Sequence, residues 1–319
     1  MRAYIIRRVL LVIPTLFILS ILVFLSVRFL PGDAIDAMLD KASWIGGVGV
    51  DRAALEHMLG LDLPVYVQYG RWLGDIVLRG TLGESLWGGE AIETKIVGRL
   101  PVTLELGALA IVIGLLIAVP VGVYSAMRQD TVGDYAGRTI AVIGLATPNF
   151  WLGVMVMLYP VIWWGWSPSV ELIRFRDDPL GNLGMFLVPS LILGTALAAS
   201  TMRMTRTMML EVLRQDYIRT AWAKGLSERL VVVRHAVKNA LIPVVTLIGL
   251  QLPILVGGSV IMENIFVLPG LGQVLLKALQ DRDYPIVMGV NLFFGAVVMA
   301  VNLLIDLLYP YLDPRIRYR

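Results

Sequence analysis

Tyr217-Ile218-Arg219-Thr220-Ala221-Trp222-Ala223-Lys224-Gly225-Leu226 is the centre of a basic, helix-forming stretch, 205–244, set between two runs with the composition of membrane spans. The stretch carries Arg206, Arg214, Arg219, Lys224, Arg229, Arg234 and Lys238 against Glu211, Asp216 and Glu228. A loop that basic beside a span is retained in the cytoplasm. Its length and its helix formers suit a docking surface better than a tether. Residues 204–214 continue the preceding span as a helix into water, and 215–224 form a short helix of their own. Gly225 closes that helix, because only glycine enters the left-handed region cheaply. Ser227 stands as the N-cap of a second helix, 228–239. Ala221 and Gly225, four residues apart, share a small-residue face that lets another surface approach closely, with Tyr217 and Trp222 as larger anchors beside it. A solvated basic loop accounts for the arginines. It does not account for the small face, the aromatics and the paired caps.

The 319 residues are 57% hydrophobic and 16% charged, with a mean hydropathy of +0.77. Soluble domains are nearer a quarter charged. The excess resides in apolar runs of about 20 residues, the length that crosses a hydrocarbon core. Six spans are expected: 9–30, 102–127, 140–164, 185–204, 241–265 and 286–308. The first follows Arg2, Arg7 and Arg8 and resembles a signal peptide, but its apolar run is too long for one and no small-x-small cleavage site follows. It is read as a retained anchor, with Arg28 snorkelling near its outer end. With the N-terminus inside, 16 of the 27 Lys and Arg but 7 of the 24 Asp and Glu fall on the cytoplasmic side. That bias supports six spans with both termini cytoplasmic, and it explains a pI near 9.1 without nucleic acid.

Residues 31–99 form the large outer piece, with turn signals at Pro31-Gly32-Asp33 and Gly46-Gly47, a helical pattern over 64–78 and a further turn over 80–85. This piece is either a folded cap or part of an entrance that meets an external partner. Several chemistries are excluded. There is no cysteine and no G-x-x-x-x-G-K-[ST] loop to cradle a nucleotide. There is no H-E-x-x-H, and neither His57 nor His235 lies in a span, which removes a zinc protease and an intramembrane serine protease. No metal ligands are assigned. Within the spans, Glu105, Glu263 and Asp306 lie near helix ends and suit helix–helix hydrogen bonding or interfacial positions. Gln251 faces either the transport pathway or a neighbouring helix. Thr147-Pro148-Asn149 breaks the third span, either as a simple kink or, through Pro148 and Asn149, as pathway lining.

The segment 217–245, ending His235-Ala236-Val237-Lys238-Asn239-Ala240-Leu241-Ile242-Pro243-Val244-Val245, closely resembles the coupling loop of binding-protein-dependent ABC transporter permeases, in the variant of the dipeptide/oligopeptide/nickel family. In that family an E-A-A-x-x-x-G pattern marks a short helix that inserts into a groove of the ATPase. Arg219-Thr220-Ala221 and Gly225 stand at the matching positions; the leading Glu and first Ala are absent, and the trailing proline falls at Pro243. Further matches are Arg2 to Pro14, Phe29-Leu30-Pro31-Gly32-Asp33, Leu78-Arg79-Gly80-Thr81-Leu82-Gly83-Glu84-Ser85, Arg99-Leu100-Pro101-Val102-Thr103-Leu104-Glu105-Leu106, Thr147-Pro148-Asn149-Phe150-Trp151-Leu152-Gly153 and Tyr311-Leu312-Asp313-Pro314-Arg315. The resemblance covers nearly the whole chain.

It implies an all-α integral membrane protein: a type I ABC importer (MetI-like) transmembrane domain with one extra N-terminal helix and an external loop region. The parts would be an anchor (1–30), a periplasmic-side loop region (31–99), a permease core (100–309) containing the coupling loop 205–239, and a cytoplasmic tail (310–319). The implied function is ATP-driven import of di- and oligopeptides across the bacterial inner membrane by alternating access. The same machinery also serves nickel complexes, glutathione or oligosaccharides. A contrasting class is an ATP-independent secondary carrier or channel. The implied partners are a second homologous permease, two ABC ATPase subunits that bind ATP and Mg, and an external solute-binding protein. The implied ATPase-coupling residues are Tyr217, Arg219, Thr220, Ala221, Trp222, Lys224 and Gly225. No catalytic residue and no cofactor is assigned to this chain.

Overall fold

The computed structural model describes residues 2–29, 35–36, 38–39, 51–165 and 171–312. The turn signals at Pro31-Gly32-Asp33 and Gly46-Gly47, and the tail beyond Leu312, lie outside them. The described elements are helices: α1 (Arg2–Arg28), α2 (Arg52–Met58), α3 (Val65–Gly74), α4 (Ile92–Met127), α5 (Val132–Ala146), α6 (Asn149–Trp164), α7 (Pro179–Leu213), α8 (Asp216–Ala223), α9 (Lys238–Ile265), α10 (Leu271–Gln280) and α11 (Tyr284–Leu312). Extended pairing among the described residues is limited to one bridge, Glu84 with Ala91.

Among the described residues, five helices are long and apolar enough to cross a membrane, and six spans result if the bent pair α5–α6 counts as one. The expected third span, 140–164, is therefore not a straight rod. Its two halves meet at 90° across Thr147-Pro148. Pro148 lacks an N–H and pushes the residue before it out of the helical region, so Thr147 is extended (φ −88°, ψ 119°) and caps α5 while Pro148 caps α6. Elsewhere the helices outrun the apolar stretches, because a helix does not stop where hydrocarbon ends. α4 begins ten residues before its apolar core, at Ile92. α7 starts on a cap in which the Asp178 carboxylate accepts from the N–H groups of Leu180 and Gly181, with Pro179 in its first turn.

The chain divides into two compact units, Met1–Pro101 with Pro269–Leu303 and Val102–Leu268 with Leu304–Arg319. In the first, α1 packs on α3 through aromatic rings. Phe24 lies 5.4 Å from the Tyr69 ring and 5.8 Å from Trp72, and Ser20 Oγ is 2.8 Å from the Tyr69 hydroxyl. Arg28 does not simply reach for water: its guanidinium covers Phe24 and donates to Gln68. The turn after Gly80 is held by the start of α11, where the Ser85 hydroxyl donates to the buried Asp283 carboxylate (2.5 Å) and Trp87 Nε1 donates to the Asp281 carbonyl (2.8 Å). Ile92, Ile96, Leu271, Ala278, Ile286, Val287 and Val290 close this unit's core. Within it α10 is an amphipathic helix to which the sequence pattern assigned nothing.

In the second unit α4 and α7 touch backbone to backbone. A Cβ on Gly114 would sit 3.0 Å from the Gly194 carbonyl oxygen, and one on Gly194 would sit 2.8 Å from that of Ala110. Such contacts suit helices in lipid, where dispersion over close surfaces replaces the hydrophobic drive. Leu106, Phe186, Leu193, Leu197, Leu255 and Met262 pack around them.

Candidate functional site

The site is built at the far end of α7. That helix runs without interruption to Leu213, as the sequence predicts, and Gln215 turns the chain (φ −72°, ψ 147°) into α8. The sequence of α8 divides it into two faces. Ile218 and Ala221, three apart, point inward and are buried. They pack with Met209 of α7, Ala126 of α4, and Val231, Val232, Ala236 and Ala240 of the following segment. The opposite face presents Tyr217, Arg219, Thr220, Trp222 and Lys224, all exposed.

Gly225 closes α8 as expected. Its φ is +76°, its N–H donates to the Trp222 carbonyl (2.9 Å), and the next N–H, of Leu226, reaches back five residues to the Ala221 carbonyl (3.4 Å). Leu226 then folds onto the buried cluster, completing the hydrophobic contact that accompanies this cap. Nothing stands within 4 Å of where a Gly225 Cβ would be, so the demand for glycine comes from the backbone angle and not from crowding.

Three features differ from the sequence expectation. Ala221 is 8% exposed, so its small side chain admits this chain's own neighbours. The outward surface is made by the larger residues around it. Ser227 precedes a helical turn with the extended backbone of an N-cap, but its side chain makes no capping hydrogen bond. The segment after it is not a separate helix ending at residue 239. Glu228–Leu230 leads into a wide π-type turn, Val231–Val237, that continues directly into α9. An extra residue per turn is tolerated there because Val231, Val232 and Ala236 are buried in the same cluster.

Tyr217 also makes a contact that spacing alone does not reveal. Asn239, at the start of α9, donates to its hydroxyl at 3.0 Å and also to the His235 carbonyl at 3.0 Å. The hydrogen bond ties α8 to the base of a long apolar helix. Arg219 pairs loosely with Asp216 at 3.5 Å, both side chains in solvent, an arrangement that adds little to stability.

The remaining sequence candidates lie apart from this cluster. Pro148 is exposed and Asn149 half-buried at the α5–α6 bend. Gln251 of α9 accepts a hydrogen bond from Ser200 of α7 at 3.2 Å, so it joins two helices. Thr103 donates to the buried Glu263 carboxylate at 2.7 Å, which gives Glu263 a partner on α4. Sequence reasoning also missed the pairing of buried Asp134 with part-buried Arg206. Arg206 was hidden among arginines explained by sidedness. The available signal was Thr131, three residues before Asp134 at a helix start, whose hydroxyl accepts from the Asp134 N–H.

Comparison with known proteins agrees with this architecture. Residues 118–318 match the family described as "Binding-protein-dependent transport system inner membrane component", and residues 1–107 match the corresponding N-terminal family. The chain is 40% identical over 322 residues to the oligopeptide transport system permease protein AppB of Bacillus subtilis, and 39% identical over 343 residues to the dipeptide transport system permease protein DppB of Escherichia coli; each match covers all of both chains. Among solved structures, an amino acid ABC transporter crystallised with histidines has a similar fold, with a TM-score of 0.53 at 13% identity over 69% of this chain and 94% of that one.

Proposed function

This chain belongs to the family of inner membrane components of binding-protein-dependent transport systems, and from that premise we propose that it is the permease subunit of an ATP-driven importer of di- and oligopeptides. The observation that carries the proposal is α8. It is a short two-faced helix, its inner face packed against the ends of three longer helices and its outer face of Tyr217, Arg219, Thr220, Trp222 and Lys224 left exposed. Full-length similarity to peptide permeases supports the substrate class.

The chain acts as a multi-pass membrane component and contributes no enzymatic step. ATP and Mg are bound by two ATPase subunits, a second homologous permease completes the pathway, and a solute-binding protein delivers peptide from outside. Both termini are cytoplasmic, consistent with the basic residues concentrated in and around α8. When ATP draws the ATPase subunits together, the outer face of α8 is displaced. Because Ile218 and Ala221 are embedded among Met209, Ala126 and Val231, that displacement is carried by packed side chains into α7, α4 and α9. The helices then expose the pathway outward to accept peptide and inward to release it after hydrolysis.

The test is co-purification and uptake with Trp222→Ala and Lys224→Glu combined. The double variant is expected to retain its thermal stability while losing ATPase association and ATP-dependent peptide uptake. Normal association and uptake would refute the assignment of α8. The contrasting class, a secondary carrier, requires uptake by the chain alone in liposomes without ATP.

A further inference from the structure

Asp134 lies in the first turn of α5 and is fully buried, yet its carboxylate is saturated with donors. Arg206 of α7 grips it with two prongs, Nε to Oδ1 at 2.9 Å and Nη2 to Oδ2 at 2.8 Å. The Ser125 hydroxyl of α4 donates to Oδ1, and the Asp130 N–H in the α4–α5 turn donates to Oδ2 at 3.1 Å. Asp130 has a φ of +59°, a left-handed conformation that delivers its N–H to the carboxylate. Three helices and one turn thus converge on a single side chain.

The surroundings indicate why a charge is used. Nearby, α4, α5 and α7 meet through Ala118, Ala141, Ala198, Ala199 and Met202, a smooth contact of small side chains. Small side chains let helices approach closely. A bidentate pair with its carboxylate buried contributes little net stability over apolar packing, but its two-pronged geometry is directional where alanine contacts are not. It also adjoins the α8 cluster directly. Ser125 is followed by Ala126, and Arg206 stands one turn before Met209, both members of that cluster.

We propose that Asp134 and Arg206 are positioning residues that lock α5 to the α8-bearing module, so that movement received at α8 carries α5 and, through the bend at Pro148, α6. The proposal rests on the permease function given above. It makes α5 part of the moving body, although α5 is absent from the cluster that surrounds α8.

The experiment uses the complete transporter in proteoliposomes, carrying Asp134→Asn or Arg206→Lys in this chain. Both complexes are expected at wild-type subunit ratio with ATP hydrolysis largely retained, while peptide moved per ATP falls about tenfold in D134N and less in R206K. An unchanged peptide-to-ATP ratio in both would overturn the proposal. So would failure of both to assemble, since the pair would then serve folding alone. Spin labels at Val142 of α5 and Asp216 of α8, exposed by 57% and 97%, give a second readout that does not depend on the substrate. Their separation should stay fixed on ATP binding in the wild type and broaden in D134N. A wild-type separation that changes with ATP refutes the lock, whereas absence of ATP-driven peptide uptake with the labels behaving as expected refutes the substrate class and leaves the lock standing.

Discussion

Ala221 and Trp222 are adjacent, yet one is enclosed by this chain and the other faces solvent. Ala221→Glu would place an unpartnered charge among Met209, Val231 and Ala236, and is expected to destabilise the subunit by roughly 3–5 kcal/mol. Thermal denaturation in detergent would register it as a large fall in Tm. Trp222→Ala, by contrast, should leave Tm nearly unchanged and weaken ATPase association. Gly225→Val forces a β-branched residue to φ +76°, costing about 1–2 kcal/mol through the backbone conformation, since no neighbour lies within 4 Å of its Cβ. That loss is expected as a modest fall in Tm of the isolated chain, with frayed α8 and reduced ATPase stimulation in the complex. The glycine was legible in the sequence because a cap is local chemistry. The inward direction of Ala221 was not, since a small residue is equally compatible with a partner's surface and with the chain's own core.

At the level of elements, the apolar runs locate the long helices but not their ends. Hydropathy reports where hydrocarbon lies, whereas helix ends are set by caps such as Asp178 before α7 and by the left-handed Gly165 after α6. The amphipathic α10 escaped for the same reason: its ten residues are too few to register as a span. Pro148 was readable as a break, and its 90° consequence follows from a missing N–H and a restricted preceding residue. The α4–α7 contact yields a sharp expectation. Gly194→Leu would drive a side chain into the Ala110 backbone, costing about 1–3 kcal/mol or more as the helices separate. Reduced recovery of folded protein by size-exclusion chromatography checks this, with Gly184→Leu, where nothing lies within 4 Å, as the tolerated control.

For the molecule as a whole, the apolar runs were enough to indicate a multi-pass membrane protein, and the motifs spread along the chain indicated the permease family. What the linear pattern left hidden were pairings between distant residues: Ser85 with Asp283, Thr103 with Glu263, and Asp134 with Arg206. Each joins segments that look unremarkable alone, because a buried carboxylate and its donor must be brought together by the fold before either has meaning. The first two donors, Ser85 and Thr103, lie in stretches that resemble family signatures, and these bonds supply a physical reason for the residue types found there. On the proposed function, ATP turnover by partner subunits reaches the pathway through α8. Labelled-peptide uptake into proteoliposomes containing this chain, its partner permease, the ATPases and the binding protein reads that coupling. Uptake should require ATP and should fall to background when Trp222→Ala and Lys224→Glu are introduced together, with the subunit still folded. Uptake that persists in that variant, or that proceeds with this chain alone and no ATP, would contradict it.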